Sequence, residues 1–181
     1  KNLYQHKWSS NDIYLYDIWK YLYKVIMLSN KSLADIESHK GALSYDQYKC
    51  FTAEVRAIRA LYYWYAMDMF GNIPLVTSYN VKLEQVVQNK RSEVFQFIVD
   101  ELQQAAPLLA DARSNKAGDY YGRITRPVVH FLLAKLALNA EIYSDDNWTD
   151  GKQMDGRTIF FDVNGVKKNA WETCIWYCDQ L

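Results

Sequence analysis

The stretch Ala53-Glu54-Val55-Arg56-Ala57-Ile58-Arg59-Ala60-Leu61-Tyr62-Tyr63-Trp64-Tyr65, running on to Phe70-Gly71-Asn72-Ile73-Pro74, decides the architecture. It predicts a long helix. Residues as small as Ala53, Ala57, Ala60 and Ala66 let a second helix approach closely. The aromatic run Tyr62 to Tyr65 is apolar nearly all round, which predicts that this helix is buried. Gly71 and Pro74 then stop it.

Working upstream, Gly41 breaks a preceding helix, and Ser44 with Gln47 three residues later forms a capping box that opens the long one. The preceding helix is predicted from about Asp12 to about Ser38, capped by Ser9, Ser10 or Asn11, with Ile18, Leu22, Val25, Ile26, Leu33 and Ile36 near helical spacing. Asn30 interrupts its apolar face. An amide there is expected to bond a neighbouring backbone, because an unpaired one in a core costs about 1–3 kcal/mol. In the long helix, neither Arg56 nor Arg59 lies at i, i+4 from Glu54. Arg59, beside the aromatic block, is expected to be a structural clamp that meets a carboxylate from another helix or an aromatic face.

Downstream, residues 73–82 read as an extended connector and 82–90 as a polar loop. Ser92 is the expected cap of a third helix with Val94, Phe95, Ile98, Leu102 and Ala105 on one face, ended by Pro107. Thr125 and Pro127 open a fourth, with Phe131, Leu132, Ala134, Leu138 and Ile142 at helical spacing. Thr158-Ile159-Phe160-Phe161 followed by Asn164-Gly165 predicts a small β-hairpin, and Asn169 with Glu172 caps a last helix expected to run on through Leu181. Helix–loop–helix units recurring at roughly 35 to 45 residues have the look of tetratricopeptide-like pairs.

The chain has 181 residues, enough for one core burying roughly 70% of the unfolded surface. Lys plus Arg and Asp plus Glu are both 21, so no basic field attracts nucleic acid. No apolar run approaches the ~20 residues needed to span a bilayer, so this stretch is expected to be soluble. The 15 Tyr and 6 Trp suit recognition of partners or sugars as well as core packing. Cys50, Cys174 and Cys178 are odd in number and lack C-x-x-C metal-site spacing; Cys174 and Cys178, four apart on one helical face, could pair or ligate but read as small apolar residues packed in a helix interface.

No arrangement for catalysis stands out: there is no H-E-x-x-H, no G-x-S-x-G, no glycine-rich phosphate loop and no marked carboxylate pair. The chain is therefore expected not to be an enzyme and to need no cofactor. The loop 145–151 offers clustered oxygens but misses the EF-hand pattern, and reads as a solvated turn with no metal site. Trp148 in that loop reads as a buried loop anchor or, as the alternative, a candidate for stacking on a sugar ring; Trp8 just before the first helix is the leading stacking candidate.

The segment 53–74 is similar to A-E-x-R-x-x-R-A-x-x-Y-[YW]-x-[YF] followed by F-G-x-[IVA]-P, a pattern of the SusD/RagB family of outer-membrane glycan-binding lipoproteins of Bacteroidetes. Trp19, Tyr23, Ile26 and Asn30 resemble that family's W-x-x-x-Y-x-x-I-x-x-x-N helix, and residues 91–109, 122–143 and 170–181 resemble further helices in the same order. Ile58 and Pro127-Val128-Val129 depart from the usual pattern at packing positions. The resemblance implies a mainly all-α fold, a tetratricopeptide-like helical-repeat scaffold with irregular loops and one short β-hairpin. Residues 1–181 would then be a single helical-repeat domain, a fragment of a longer SusD-like protein.

The resemblance also implies a function. It is non-catalytic capture of starch or other oligosaccharides at the cell surface, and delivery to a SusC-like TonB-dependent outer-membrane transporter. Attachment would be through a lipid anchor outside this chain. The family builds its sugar site largely from loops outside this region. The residues carried over are accordingly scaffold: Trp19, Tyr23, Asn30, Glu54, Arg56, Arg59, Gly71, Pro74, Gly122 and Arg123. A contrasting expectation is a helical-repeat adaptor that binds a protein partner and no sugar.

Overall fold

Helix α2 (Tyr45–Phe70) is the axis around which the rest is built. In the computed structural model, which describes residues 4, 5, 7–9, 11–147 and 149–181, it lies between α1 (Ile13–Ser38) and α3 (Arg91–Ala105). The close approach rests on alanines: Ala53, Ala57, Ala60 and Ala66 are buried, and Leu22, Ile26, Ile98 and Leu102 pack into the same core. Ser44 and Gln47 cap α2 reciprocally at 3.0 and 3.2 Å. Gly71 ends it at φ 72°, a backbone conformation that favours glycine. The aromatic run is only partly covered. Tyr63 is fully buried, whereas Tyr65 is 42% exposed.

Helix α1 is capped by Asp12, whose carboxylate accepts the Tyr14 N–H at 3.0 Å, and not by Ser9 or Asn11; Ser10, the other expected cap, lies outside the described residues. Ser9 is already used in a turn, its carbonyl accepting the Asp12 N–H. A two-residue ladder that the sequence pattern was too short to announce, β1 (Ile73–Pro74) on β2 (Gln88–Asn89), then ties the connector after α2 to the entry of α3. Helix α3 starts two residues earlier than expected, with Lys90 and not Ser92 at its cap position. The Glu93 carboxylate takes the Lys90 N–H at 3.1 Å, and Ser92 turns to Asp146, which accepts from its N–H and its hydroxyl at 3.1 and 2.7 Å. An acidic side chain suits the positive end of the helix.

The expected fourth helix is two pieces, α4 (Arg126–Leu138) and α5 (Ala140–Tyr143). Asn139 interrupts it by donating its side-chain amide back to the Lys135 carbonyl at 2.9 Å. Phe131, Leu138 and Ile142, expected in the core, are exposed; Val129, Leu133 and Leu136 face inward instead. The hairpin forms as anticipated, β3 (Phe160–Val163) on β4 (Val166–Asn169), with Asn164 and Gly165 at φ 54° and 79° in the turn. It leads into α6 (Ala170–Cys178), which packs on α4. That helix closes at Cys178 and does not run through Leu181; Cys178 is exposed and Cys174 half-buried, so only the latter packs in an interface. Among the described residues, no helix is long and apolar enough to cross a membrane.

Candidate functional site

The α1–α2 hairpin brings Phe70, the last residue of α2, to the first turns of α1. There Trp8, Ser9, Leu15, Tyr16, Trp19 and Phe70 line an open cleft of about 550 Å³. Two of its aromatic residues reach solvent, Trp8 and Tyr16 being 47% and 59% exposed. Its floor is fixed. Trp19 meets Phe70 edge-on at 5.1 Å and Tyr23 at 4.5 Å, and the Tyr23 hydroxyl donates to the Pro74 carbonyl at 2.7 Å. Burial holds the Tyr23 phenol well above its ordinary range, so it stays a donor.

Phe70 also lines a smaller polar recess of about 250 Å³ with Asn72, Gln88, Arg91, Asp145 and Asp146. The positive φ of Gly71 turns the chain into this recess. There Asn72 accepts from the Gln88 amide at 2.7 Å and from the Arg91 N–H at 2.8 Å, while the Arg91 guanidinium donates to the Asp145 carbonyl at 2.7 Å. Aromatic platform and hydrogen-bonding groups thus adjoin. That combination suits a ligand with apolar C–H faces and polar edges, which an uncharged sugar has.

Behind the cleft, the motif residues form a buried polar clamp. The Arg59 guanidinium donates to Glu101 on α3 at 2.6 Å and to the Asn30 carbonyl oxygen on α1 at 2.8 Å. Arg56 reaches the other Glu101 oxygen at 2.6 Å and Gln104 at 2.8 Å. The Asn30 amide and the Tyr63 hydroxyl both donate to the Val76 carbonyl, at 2.8 and 2.7 Å, and Tyr63 also accepts the Val76 N–H. Three helices and the connector after α2 are therefore held by one network, which fixes the segment carrying Pro74 and Asn72. Glu54 stands apart, paired at 2.6 Å with Arg123, which follows the Gly122 turn at φ 73°.

Trp8 and Trp19 thus come together with Tyr23 and Pro74, while Asn30, Arg56 and Arg59 meet on Glu101. Trp148 lies outside the described residues. Its neighbours cap turns: Asp145 accepts the Asn147 N–H at 2.8 Å and Asp150 the Lys152 N–H at 2.9 Å. Among the described residues, no group of three or more His, Cys, Asp or Glu is placed to hold a metal. Sequence reasoning did not single out Tyr16 or Phe70 for the cleft, or Glu101 for the clamp. Glu101 sits mid-helix among apolar neighbours, and that position was the available signal.

Fold and cleft together define a helical-repeat scaffold with an aromatic recess at the mouth of its first hairpin. The sequence model of the family SusD-like_3, described as "Starch-binding associating with outer membrane", matches residues 1–138. The chain belongs to this SusD-like family. It is similar to the starch-binding protein SusD of Bacteroides thetaiotaomicron, 33% identical over 92 residues, covering 51% of this chain and 16% of that protein. Among solved structures it is similar to a laminarin-binding SusD-like protein, at 28% identity and a TM-score of 0.61 over 75% of this chain and 30% of that one. It is also similar to a protein crystallised with xylogluco-oligosaccharide, at 25% identity and a TM-score of 0.64 over 75% and 26%. The chain spans less than a third of the length of each of these relatives.

Proposed function

We propose that this chain belongs to a non-catalytic protein that captures neutral oligosaccharides at the bacterial surface, and that Trp8 supplies a stacking face for the sugar. The observation that carries the reading is the half-exposed ring of Trp8 in a cleft floored by Trp19 and Phe70 and adjoining the Asn72, Gln88 and Arg91 recess. Relatives described as starch-binding, laminarin-binding or crystallised with xylogluco-oligosaccharide support the ligand class. Trp148 is a second stacking candidate. In this reading residues 1–181 act as one helical-repeat domain, with Trp19, Tyr23, Asn30, Arg56 and Arg59 holding the cleft in shape.

Delivery to a SusC-like TonB-dependent transporter, and attachment to the outer membrane through a lipid anchor, complete the proposal. Support for a protein partner comes from the exposed apolar side chains Phe131, Leu138 and Ile142 along α4 and α5. Calorimetric titration with maltoheptaose, laminarihexaose and a xyloglucan heptasaccharide tests the sugar reading. Heat of binding that is lost in Trp8→Ala supports it. Absence of binding to every sugar, or binding indifferent to Trp8→Ala, overturns it.

A further inference from the structure

Residues of α3, the turn Ala106–Leu108, α4, α6 and the β3–β4 turn line a second cleft of about 520 Å³. This lies within the range of about 300–1,000 Å³ usual for small-molecule sites. It shares no lining residue with the Trp8 cleft. A narrower groove of about 230 Å³ continues from it through Gln103 and Asp162, past Gln96 and Phe160. We infer that this cleft is a second binding site for a neutral oligosaccharide, independent of the Trp8 cleft.

The chemistry of its wall carries the inference. Trp176 stands edge-on to Tyr177 at 4.9 Å and to the His130 ring at 6.2 Å, so three aromatic side chains form one wall. Among the described residues, the indole N–H of Trp176 and both ring nitrogens of His130 make no hydrogen bond. None of the three is sealed from solvent, and both side chains line the cleft. Gln103 spends its amide N–H groups on the Asp162 carbonyl at 2.6 Å and the Tyr177 hydroxyl at 3.3 Å, so its carbonyl oxygen remains as an acceptor. Donors and acceptors therefore line the same cleft as three aromatic side chains, a combination that matches sugar hydroxyls flanking an apolar ring face.

Charge argues for a neutral ligand. The one guanidinium in the lining, Arg126, is taken up by the Ala106 and Leu109 carbonyls at 3.0 and 3.1 Å and lies 3.7 Å from Asp111. Burial and the nearby Arg126 push the His130 imidazole below its ordinary range, so the ring is neutral near pH 7 and offers a ligand one donor and one acceptor nitrogen. A phosphate or carboxylate ligand would find no unpaired cation here. The inference shares only its ligand class with the Trp8 reading, and its test separates the two.

The ¹⁵N-labelled 181-residue chain is titrated with laminarihexaose and a xyloglucan heptasaccharide, and the indole N–H resonances are followed. Those of Trp8 and Trp176 are identified by Trp8→Phe and Trp176→Phe. The expected result is a saturable shift of the Trp176 resonance that persists in Trp8→Ala. In His130→Phe, which keeps the ring packing, its midpoint rises about fivefold, the size expected for a lost hydrogen bond. A Trp176 resonance unmoved by both sugars, one that moves only in step with Trp8 and vanishes in Trp8→Ala, or one that answers inorganic phosphate and not sugar, overturns the inference. A moving Trp176 beside an unmoved Trp8 overturns the Trp8 reading and upholds this one.

Discussion

Replacing Glu101 with Gln removes the carboxylate on which two arginines converge. The Glu101, Arg59 and Arg56 side chains are 9%, 7% and 24% exposed, so the two guanidiniums would keep their charge with little water to solvate it. Breaking a buried pair by removing one partner costs about 3–5 kcal/mol. The lower end applies, because the Gln amide oxygen still accepts one bond and Asn30 and Gln104 still hold one guanidinium each. A loss of about 3 kcal/mol in a domain of this size lowers Tm by roughly 6–12 °C. Urea unfolding followed by circular dichroism reads the change directly. Adding Arg59→Met to Glu101→Gln removes one stranded charge, so the double variant should be more stable than the summed single effects by about 1–3 kcal/mol. A Glu101→Gln midpoint indistinguishable from the parent, or strictly additive singles, would refute the clamp.

Further outcomes follow from the same geometry. Asn30→Ala strands the Val76 carbonyl on one bond and removes an acceptor from Arg59, and should cost about 1–3 kcal/mol in urea unfolding. Gly71→Ala forces a side chain into φ 72°, and should lower stability by about 1–3 kcal/mol although nothing lies within 4 Å of the added carbon. Burial pushes Tyr63 and Tyr143 up to about 12, so an alkaline absorbance titration should show tyrosines ionising well after the exposed ones. The unfolded chain releases those protons first. Their contribution to stability is therefore complete below about pH 10 and lost as pH rises toward 12.

Helices with strong end chemistry were legible in the sequence. Ser44 and Gln47, Asn169 and Glu172, and Asn164-Gly165 each act locally, so the pattern needs no knowledge of what packs above it. Where tertiary partners decide, the reading slipped. Ser92 is a good cap by type, but Asp146 from a distant loop takes its hydroxyl. Phe131 and Leu138 fit a helical period as well as Val129 and Leu136 do, and only the placement of α3 and α6 chooses between the faces. The Arg59 partner was foreseen by kind, a carboxylate from another helix, yet which carboxylate depends on the register of α3 against α2. The Trp8 cleft was half visible: the tryptophan stood out, whereas Tyr16 and Phe70 reach it only through the antiparallel hairpin.

The most direct test of sugar capture is a search for intermolecular nuclear Overhauser effects between laminarihexaose and this chain, with aromatic protons assigned. Contacts are expected from the C–H protons of a sugar ring to the Trp8 indole, with weaker ones to Tyr16 and Trp19. Contacts confined to other parts of the surface, or no contacts at saturating sugar, would contradict it.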